Sequence, residues 1–75
     1  MFDLLIFSPE EKVFEGKASS LIVPGENGVF EILPYHKPVL SRIVGGDVIV
    51  DGRIYSIRRG LVGFNRNRAT VIVEK

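Results

Sequence analysis

There is no cysteine and no tryptophan in these 75 residues, and only one histidine and one methionine. Without cysteine there are no disulfides, no zinc-thiolate centres and no thiol nucleophile. The single imidazole, His36, has no second base or triad serine in a recognisable arrangement, which removes the usual nucleophilic machinery. No apolar run approaches the roughly 18 residues of a membrane-spanning helix. The opening Met1-Phe2-Asp3-Leu4-Leu5 lacks a basic segment and carries an early acid, so it does not read as a signal peptide. A cytoplasmic setting is the expectation. Gly25-Glu26-Asn27-Gly28 lacks the Lys-Ser/Thr pair and the following helix of a phosphate loop, and reads as a turn. No repeat or low-complexity segment is visible. No catalytic, cofactor-binding or metal-ligating residue is therefore assigned, and an enzyme is not expected.

What is present is apolar. Hydrophobic residues make up 45% of the chain and charged residues 25%, with a net charge of +1, which excludes disorder. A chain this short buries only about 60% of the surface it exposes when unfolded. It forms one domain over residues 1–75, and a core of that size, without crosslink or metal, favours a permanent partner.

The near-neutral total hides an uneven distribution. Residues 1–31 hold Asp3, Glu10, Glu11, Glu15, Glu26 and Glu31 against Lys12 and Lys17. Residues 52–75 hold Arg53, Arg58, Arg59, Arg66, Arg68 and Lys75 against Glu74. Between them, Lys37 and Arg42 cancel Asp47 and Asp51. The C-terminal arginines can pair with the acidic half, present a patch to a protein, or bind nucleic acid. Only Tyr55 and Phe64 stand near them for base stacking, and the domain is far from strongly basic.

Short β-forming runs separated by turns dominate. The predicted strands are Phe2–Phe7, Lys12–Gly16, Ala18–Val23, Val29–Leu33, Val39–Val44, Val48–Val50, Arg53–Ile57, Leu61–Phe64 and Ala69–Glu74. Asp51-Gly52 suits a type I′ turn, and Asn27-Gly28 and Asn65-Arg66-Asn67-Arg68 are further turn signals. Pro34 and Pro38 bracket a loop, because neither can donate to a sheet. His36 within it reads as a loop residue bonded to its neighbours. Ser8-Pro9-Glu10-Glu11 begins like a helix, but Val13-Phe14 and Gly16 stop it, leaving a capped turn. In Ala69–Glu74 one face takes Ala, Val and Val, the other Thr, Ile and Glu, the pattern of a half-buried strand. Phe2, Leu4, Ile6, Val48, Val50, Val71 and Val73 read as core. The fold class is all-β, a flattened antiparallel β-sandwich or barrel of about 8–10 short strands.

Four collinear stretches carry a family resemblance. They are Phe7-Ser8-Pro9-Glu10 with Val13-Phe14-Glu15-Gly16; Val23-Pro24-Gly25-Glu26-Asn27-Gly28; Ile32-Leu33-Pro34-Tyr35-His36-Lys37-Pro38-Val39-Leu40; and Gly60-Leu61-Val62 with Asn65, Asn67 and Thr70-Val71-Ile72. In this order they resemble the N-terminal β-sandwich domain of the epsilon subunit of F-type ATP synthases. The third stretch resembles that family's Pro-x-His-x-Pro-Leu-Leu signature. Three features depart from the pattern: Val29 where some members carry an acid, Arg59 where a second glycine is usual, and a chain that stops at Lys75. The family normally continues into a two-helix domain that restrains ATP hydrolysis and in some members binds ATP, and neither property is expected of residues 1–75.

The resemblance implies a non-catalytic adaptor of the central stalk, coupling rotation of the membrane c-ring to the gamma subunit and catalytic head during ATP synthesis. Its implied partners are the gamma subunit and the c-ring, with peripheral attachment at the cytoplasmic face of the membrane. No membrane insertion, nucleic acid, cofactor or homo-oligomer is expected. By family position Ser8 lies near gamma, the loop tip of Glu26, Asn27, Gly28 and Val29 faces the c-ring, and His36 is a partner contact. The rival reading is a small β-barrel that binds nucleic acid through its C-terminal arginines.

Overall fold

The computed structural model describes all of residues 1–75 and contains strands and turns but no helix. Nine strands are present: β1 (Phe2–Phe7), β2 (Lys12–Ala18), β3 (Leu21–Gly25), β4 (Gly28–Ile32), β5 (Val39–Ile43), β6 (Gly46–Val50), β7 (Arg53–Ile57), β8 (Arg59–Asn65) and β9 (Arg68–Glu74). Strict alternation produces the inner faces. Phe2, Leu4 and Ile6 of β1 and Ala69, Val71 and Val73 of β9 are buried, while their neighbours in sequence are more exposed. All seven residues read as core are buried, within one cluster of 16.

The strands form one continuous sheet in the order β2-β1-β9-β8-β5-β3-β6-β7, with β4 on the remaining edge of β3. The sheet curls until the layer β2-β1-β9-β8-β5 faces the layer β4-β3-β6-β7 across a shared core. The antiparallel expectation holds for every pair but one: β1 and β9, from opposite ends of the chain, run parallel.

The bend that makes two layers lies within one long hairpin. β5 and β6 are almost a single strand, and so are β7 and β8. Pairing of β6 with β7 and of β5 with β8 continues in one register on either side of Val44-Gly45 and Arg58. At that point the hairpin leaves one layer and enters the other, a strand-switching corner. A Cβ on Gly45 would sit 3.0 Å from the Arg58 carbonyl oxygen, so the close approach of the two strands there suits glycine.

Several predicted boundaries move. Ala18 ends β2 and Leu21 starts β3, so Ala18–Val23 is not one strand. Ser19 and Ser20 turn the chain between layers, and both amides bond to the Asp51 carboxylate. Pro24 and Gly25 belong to β3, and Gly28 opens β4, so the turn is only Glu26-Asn27. The positive φ that the Asn27-Gly28 signal requires is taken by Gly28 (+128°) and not by Asn27. Asp51-Gly52 (φ 46° and 87°) and Arg66-Asn67 (φ 52° and 58°) are both turns with two positive φ values, as type I′ geometry demands.

Candidate functional site

The register places the turns at two ends of the sandwich. Phe7 pairs with Ile72, Arg59 with Glu74, Ile43 with Gly60 and Gly25 with Ile43. The turn at Ser8–Glu11, the tip at Glu26-Asn27 and the corner at Val44–Gly46 therefore share one end. Tyr35, His36, Asp51 and Asn67 stand at the other.

The candidate residues from the resemblance do not form one site. Ser8 is only 5% exposed. Its amide donates to the Glu11 carbonyl at 2.8 Å, and its hydroxyl accepts from the Glu11 amide at 3.2 Å. The capped turn is thus present, but the Glu11 side chain bonds to Lys75 instead of reaching back to the serine. Glu26, Asn27, Gly28 and Val29 are all exposed at the tip, with Val29 offering an uncharged isopropyl group. His36 is half-buried at the far end. Its ring meets Phe64 edge to face with centroids 5.9 Å apart, and Nδ1 donates to the Lys37 carbonyl at 2.6 Å. Beside it, Asn67 accepts from the Tyr35 amide and donates to the Met1 carbonyl, both at 2.9 Å.

The arginines do not behave as one group. Arg59 pairs with Glu74, its neighbour across β8 and β9, at 3.2 Å. The other ion pairs are Lys12–Glu15, Lys17–Asp3 and Lys75–Glu11. The expected pairing of the C-terminal arginines with the acidic half is therefore present only in part: Lys75–Glu11 is the one ion pair that joins the two, and Arg68 stands opposite Asp3 across β9 and β1, where its charge favours the Asp3 carboxylate. Arg58 and Arg59 lie at one end of β8 while Arg66 and Arg68 lie at the other, about 20 Å away at 3.3 Å per residue. A single basic groove for nucleic acid is not assembled.

The sequence reading missed a feature beside the tip. An open groove of about 630 Å³ runs along the end of the outer face, from Pro9 past Ile72, Leu61 and Arg42 to Glu26. Arg58, Arg59 and Glu74 also line it. Leu61 pairs with Ile72 and with Arg42, on the outer side of their strands. The one signal in the sequence was Ile72, an aliphatic residue on the solvent side of an otherwise polar β9 face. No cluster of acidic, histidine or cysteine residues suited to a metal ion is present.

Over residues 1–75 the chain matches the β-sandwich domain of the ATP synthase delta/epsilon chain. It is 38% identical over 76 residues to the ATP synthase epsilon chain of a Nitratiruptor species, covering 95% of this chain and 59% of that one. It is 34% identical over 77 residues to the ATP synthase epsilon chain of Desulfitobacterium hafniense, covering 97% and 58%. The chain thus spans a little under three fifths of the length of these curated relatives. In fold it resembles a chain in the cryo-EM structure of the Tetrahymena thermophila mitochondrial ATP synthase central stalk and c-ring. The TM-score is 0.85 at 12% identity, covering 97% of this chain and 63% of that one. At that identity the likeness is one of fold.

Proposed function

The chain belongs to the ATP synthase delta/epsilon-chain β-sandwich family, and from that premise we propose that it is a non-catalytic central-stalk subunit that transmits rotation of the c-ring to the gamma subunit. The observation that carries this reading is the family match over the whole chain, across all nine strands. The physical form suits the task. A subunit that passes on torque must not deform, and here one core of interdigitated side chains binds both layers, with no buried side-chain polar atom left unpaired.

By family position the partner contacts lie at both ends of the sandwich. The exposed tip at Glu26–Val29 faces the polar loops of the ring, and the same end of the sandwich, around the Ser8–Glu11 turn, meets gamma. His36, at the opposite end, contacts a different part of the stalk. Attachment to the membrane is peripheral, on the side that carries the catalytic head. No helix in the chain is long and apolar enough to cross a bilayer.

The test is reconstitution with gamma and the c-ring from the same organism, using single-cysteine variants Asn27→Cys and His36→Cys with a short crosslinker. The expected outcome is co-purification with gamma, a c-subunit adduct from position 27, and none of that adduct from position 36. Failure to co-purify with gamma, or a c-subunit adduct only from position 36, would contradict the reading. A nucleic-acid role predicts RNA or DNA affinity at low salt that falls steeply as salt rises. No such affinity is expected.

A further inference from the structure

We propose that Asn27 is a site of spontaneous modification, where the side-chain amide is lost to the backbone nitrogen of Gly28 and a carboxylate is left on the tip. The chemistry belongs to the chain itself and does not depend on the stalk reading. The Gly28 nitrogen gives its proton to water or hydroxide, and its electron pair forms a bond to Asn27 Cγ. The Cγ–Nδ2 bond breaks, and the amide nitrogen takes up a proton and leaves as ammonia. A cyclic imide then joins the two residues. Water attacks either imide carbonyl. Attack at Cγ breaks the new bond and gives aspartate. Attack at the backbone carbonyl carbon breaks the original peptide bond and gives isoaspartate, whose main chain runs through Cβ and Cγ. No oxidant or reductant is needed.

The other asparagines serve as controls. Asn27 precedes a glycine, whereas Asn65 and Asn67 precede Arg66 and Arg68. Ring closure swings the following nitrogen against the side chain, and a Cβ on that residue crowds the approach; glycine has none. A Cβ on Gly28 would meet nothing within 4 Å, so the space beside this bond is open to the ring and to water. Asn27 and Gly28 are both exposed. Asn27 takes part in none of the side-chain hydrogen bonds. Asn67 is half-buried and fully engaged, accepting from the Tyr35 amide and donating to the Met1 carbonyl. Asn65 is exposed but lies within β8, paired with Arg68.

The nitrogen that must move stands on the last rung of its ladder. Gly28 pairs with Gly25, and beyond them only Glu26 and Asn27 remain. Terminal rungs open at the lowest cost, and exposed loop tips are the least protected part of a fold.

The product changes the tip in charge and in shape. A neutral amide becomes a carboxylate beside Glu26, so the net charge falls by one from +1. Isoaspartate also lengthens the main chain of a two-residue turn, which disturbs the Gly25–Gly28 rung. One consequence rests on the stalk reading: contact with the ring keeps water from the tip, so the modification accumulates in chains that stand free and not in assembled ones.

The experiment incubates the folded 75-residue chain in buffers from neutral to mildly alkaline and follows it by peptide mapping. The fragment Ala18–Arg42 contains Asn27 alone, and the fragment Asn65–Lys75 contains both other asparagines. The expected result is a gain of about 1 Da in Ala18–Arg42, with ammonia released in equal amount and a rate that rises with pH. That gain should be about 10-fold or more faster than in Asn65–Lys75, with isoaspartate exceeding aspartate. Asn27→Gln, which needs a ring one atom larger, and Gly28→Ala, which adds a Cβ, should each slow it by about 10-fold or more. Asn27→Gln is exposed and unbonded, so its melting should match the wild type and separate chemistry from folding. An unmodified Ala18–Arg42, equal rates in the two fragments, or aspartate without isoaspartate would overturn the proposal. Incubation of the chain bound to gamma and the c-ring should slow the reaction at Asn27. An unchanged rate there would overturn the placement of the tip against the ring and leave the chemistry standing.

Discussion

The two ends of this sandwich are built by different means. At the end that holds His36, side chains close the turns. Asp51 accepts from the amides of Ser19 and Ser20 at 3.1 and 2.9 Å, and Asn67 joins the proline loop to the N-terminus. At the end that holds the groove, main chain meets main chain. The Glu26 amide donates to Arg42, Val44 to Pro24 and Arg58 to Glu74. Side chains released from structural work at that end, Arg42 and Arg58 among them, face outward. One end ties its loops together mainly through Asp51 and Asn67, whereas the other joins β3 to β5 and β8 to β9 through the main chain and keeps its side-chain bonds to the Ser8–Glu11 turn and the Lys75–Glu11 and Arg59–Glu74 pairs.

The comparison breaks most severely at Gly60. A Cβ there would run into the Ile72 carbonyl oxygen, a backbone atom that cannot move without parting β8 from β9. Gly60→Ala should cost about 3 kcal/mol or more, or abolish folding, as read by thermal or urea melting. Gly63→Ala, on the same strand, meets nothing nearer than a Leu40 methyl at 3.7 Å and should change stability little. Equal effects would show that β strand propensity, not backbone approach, governs this end.

Next in size is the Asp51 cap. Asp51→Ala removes the acceptor shared by two amides and puts alanine at φ 46°, an expected loss of about 2–3 kcal/mol. Asp51→Asn keeps one oxygen and tolerates the left-handed backbone, so it should lose less than half as much. A melting point unchanged in both variants would mean the end is held without its side chains. Asn67→Gly sharpens the same point. Glycine keeps φ 58° at no steric cost, so the expected loss of about 1–2 kcal/mol combines the two side-chain hydrogen bonds with the greater backbone freedom of glycine in the unfolded chain.

The smallest effect is electrostatic. A hydrogen bond from Lys17, reinforced by its charge, holds the Asp3 carboxyl below its ordinary value of 3.8, and Lys75 does the same to Glu11, below 4.5. Both groups are exposed, so each contribution is small. Because the folded values are lowered, the stabilisation is complete above about pH 5 and drains away as pH falls through 4.5 and 3.8 toward the folded values. Asp3→Asn and Glu11→Gln should therefore flatten the acid side of a stability-against-pH curve and leave the neutral plateau almost unmoved. A change confined to neutral pH would contradict the assignment.

Much of the architecture was legible in alternation and turn chemistry. Asp51-Gly52 and Asn65–Arg68 announced their hairpins because few residues accept positive φ. Val71 and Val73 announced their face because a strand repeats every two residues. The candidate site was less legible. The family signature drew attention to Ser8 and His36, yet the Ser8 hydroxyl closes its own turn and His36 stands at the far end of the molecule from the tip at Glu26-Asn27.

Amino-acid order alone determined that the chain is all-β, which residues of β1, β6 and β9 face inward, where the tightest turns fall, and that there is no thiol. These are local matters of backbone sterics and side-chain period. Only the tertiary structure decided that β1 lies parallel to β9, that one hairpin bends into both layers, and that Arg42, Leu61 and Ile72 line a common groove. Those residues are about 10 to 30 positions apart. What brings them together is burial of the opposite faces of their strands, a global condition that no short window of sequence contains.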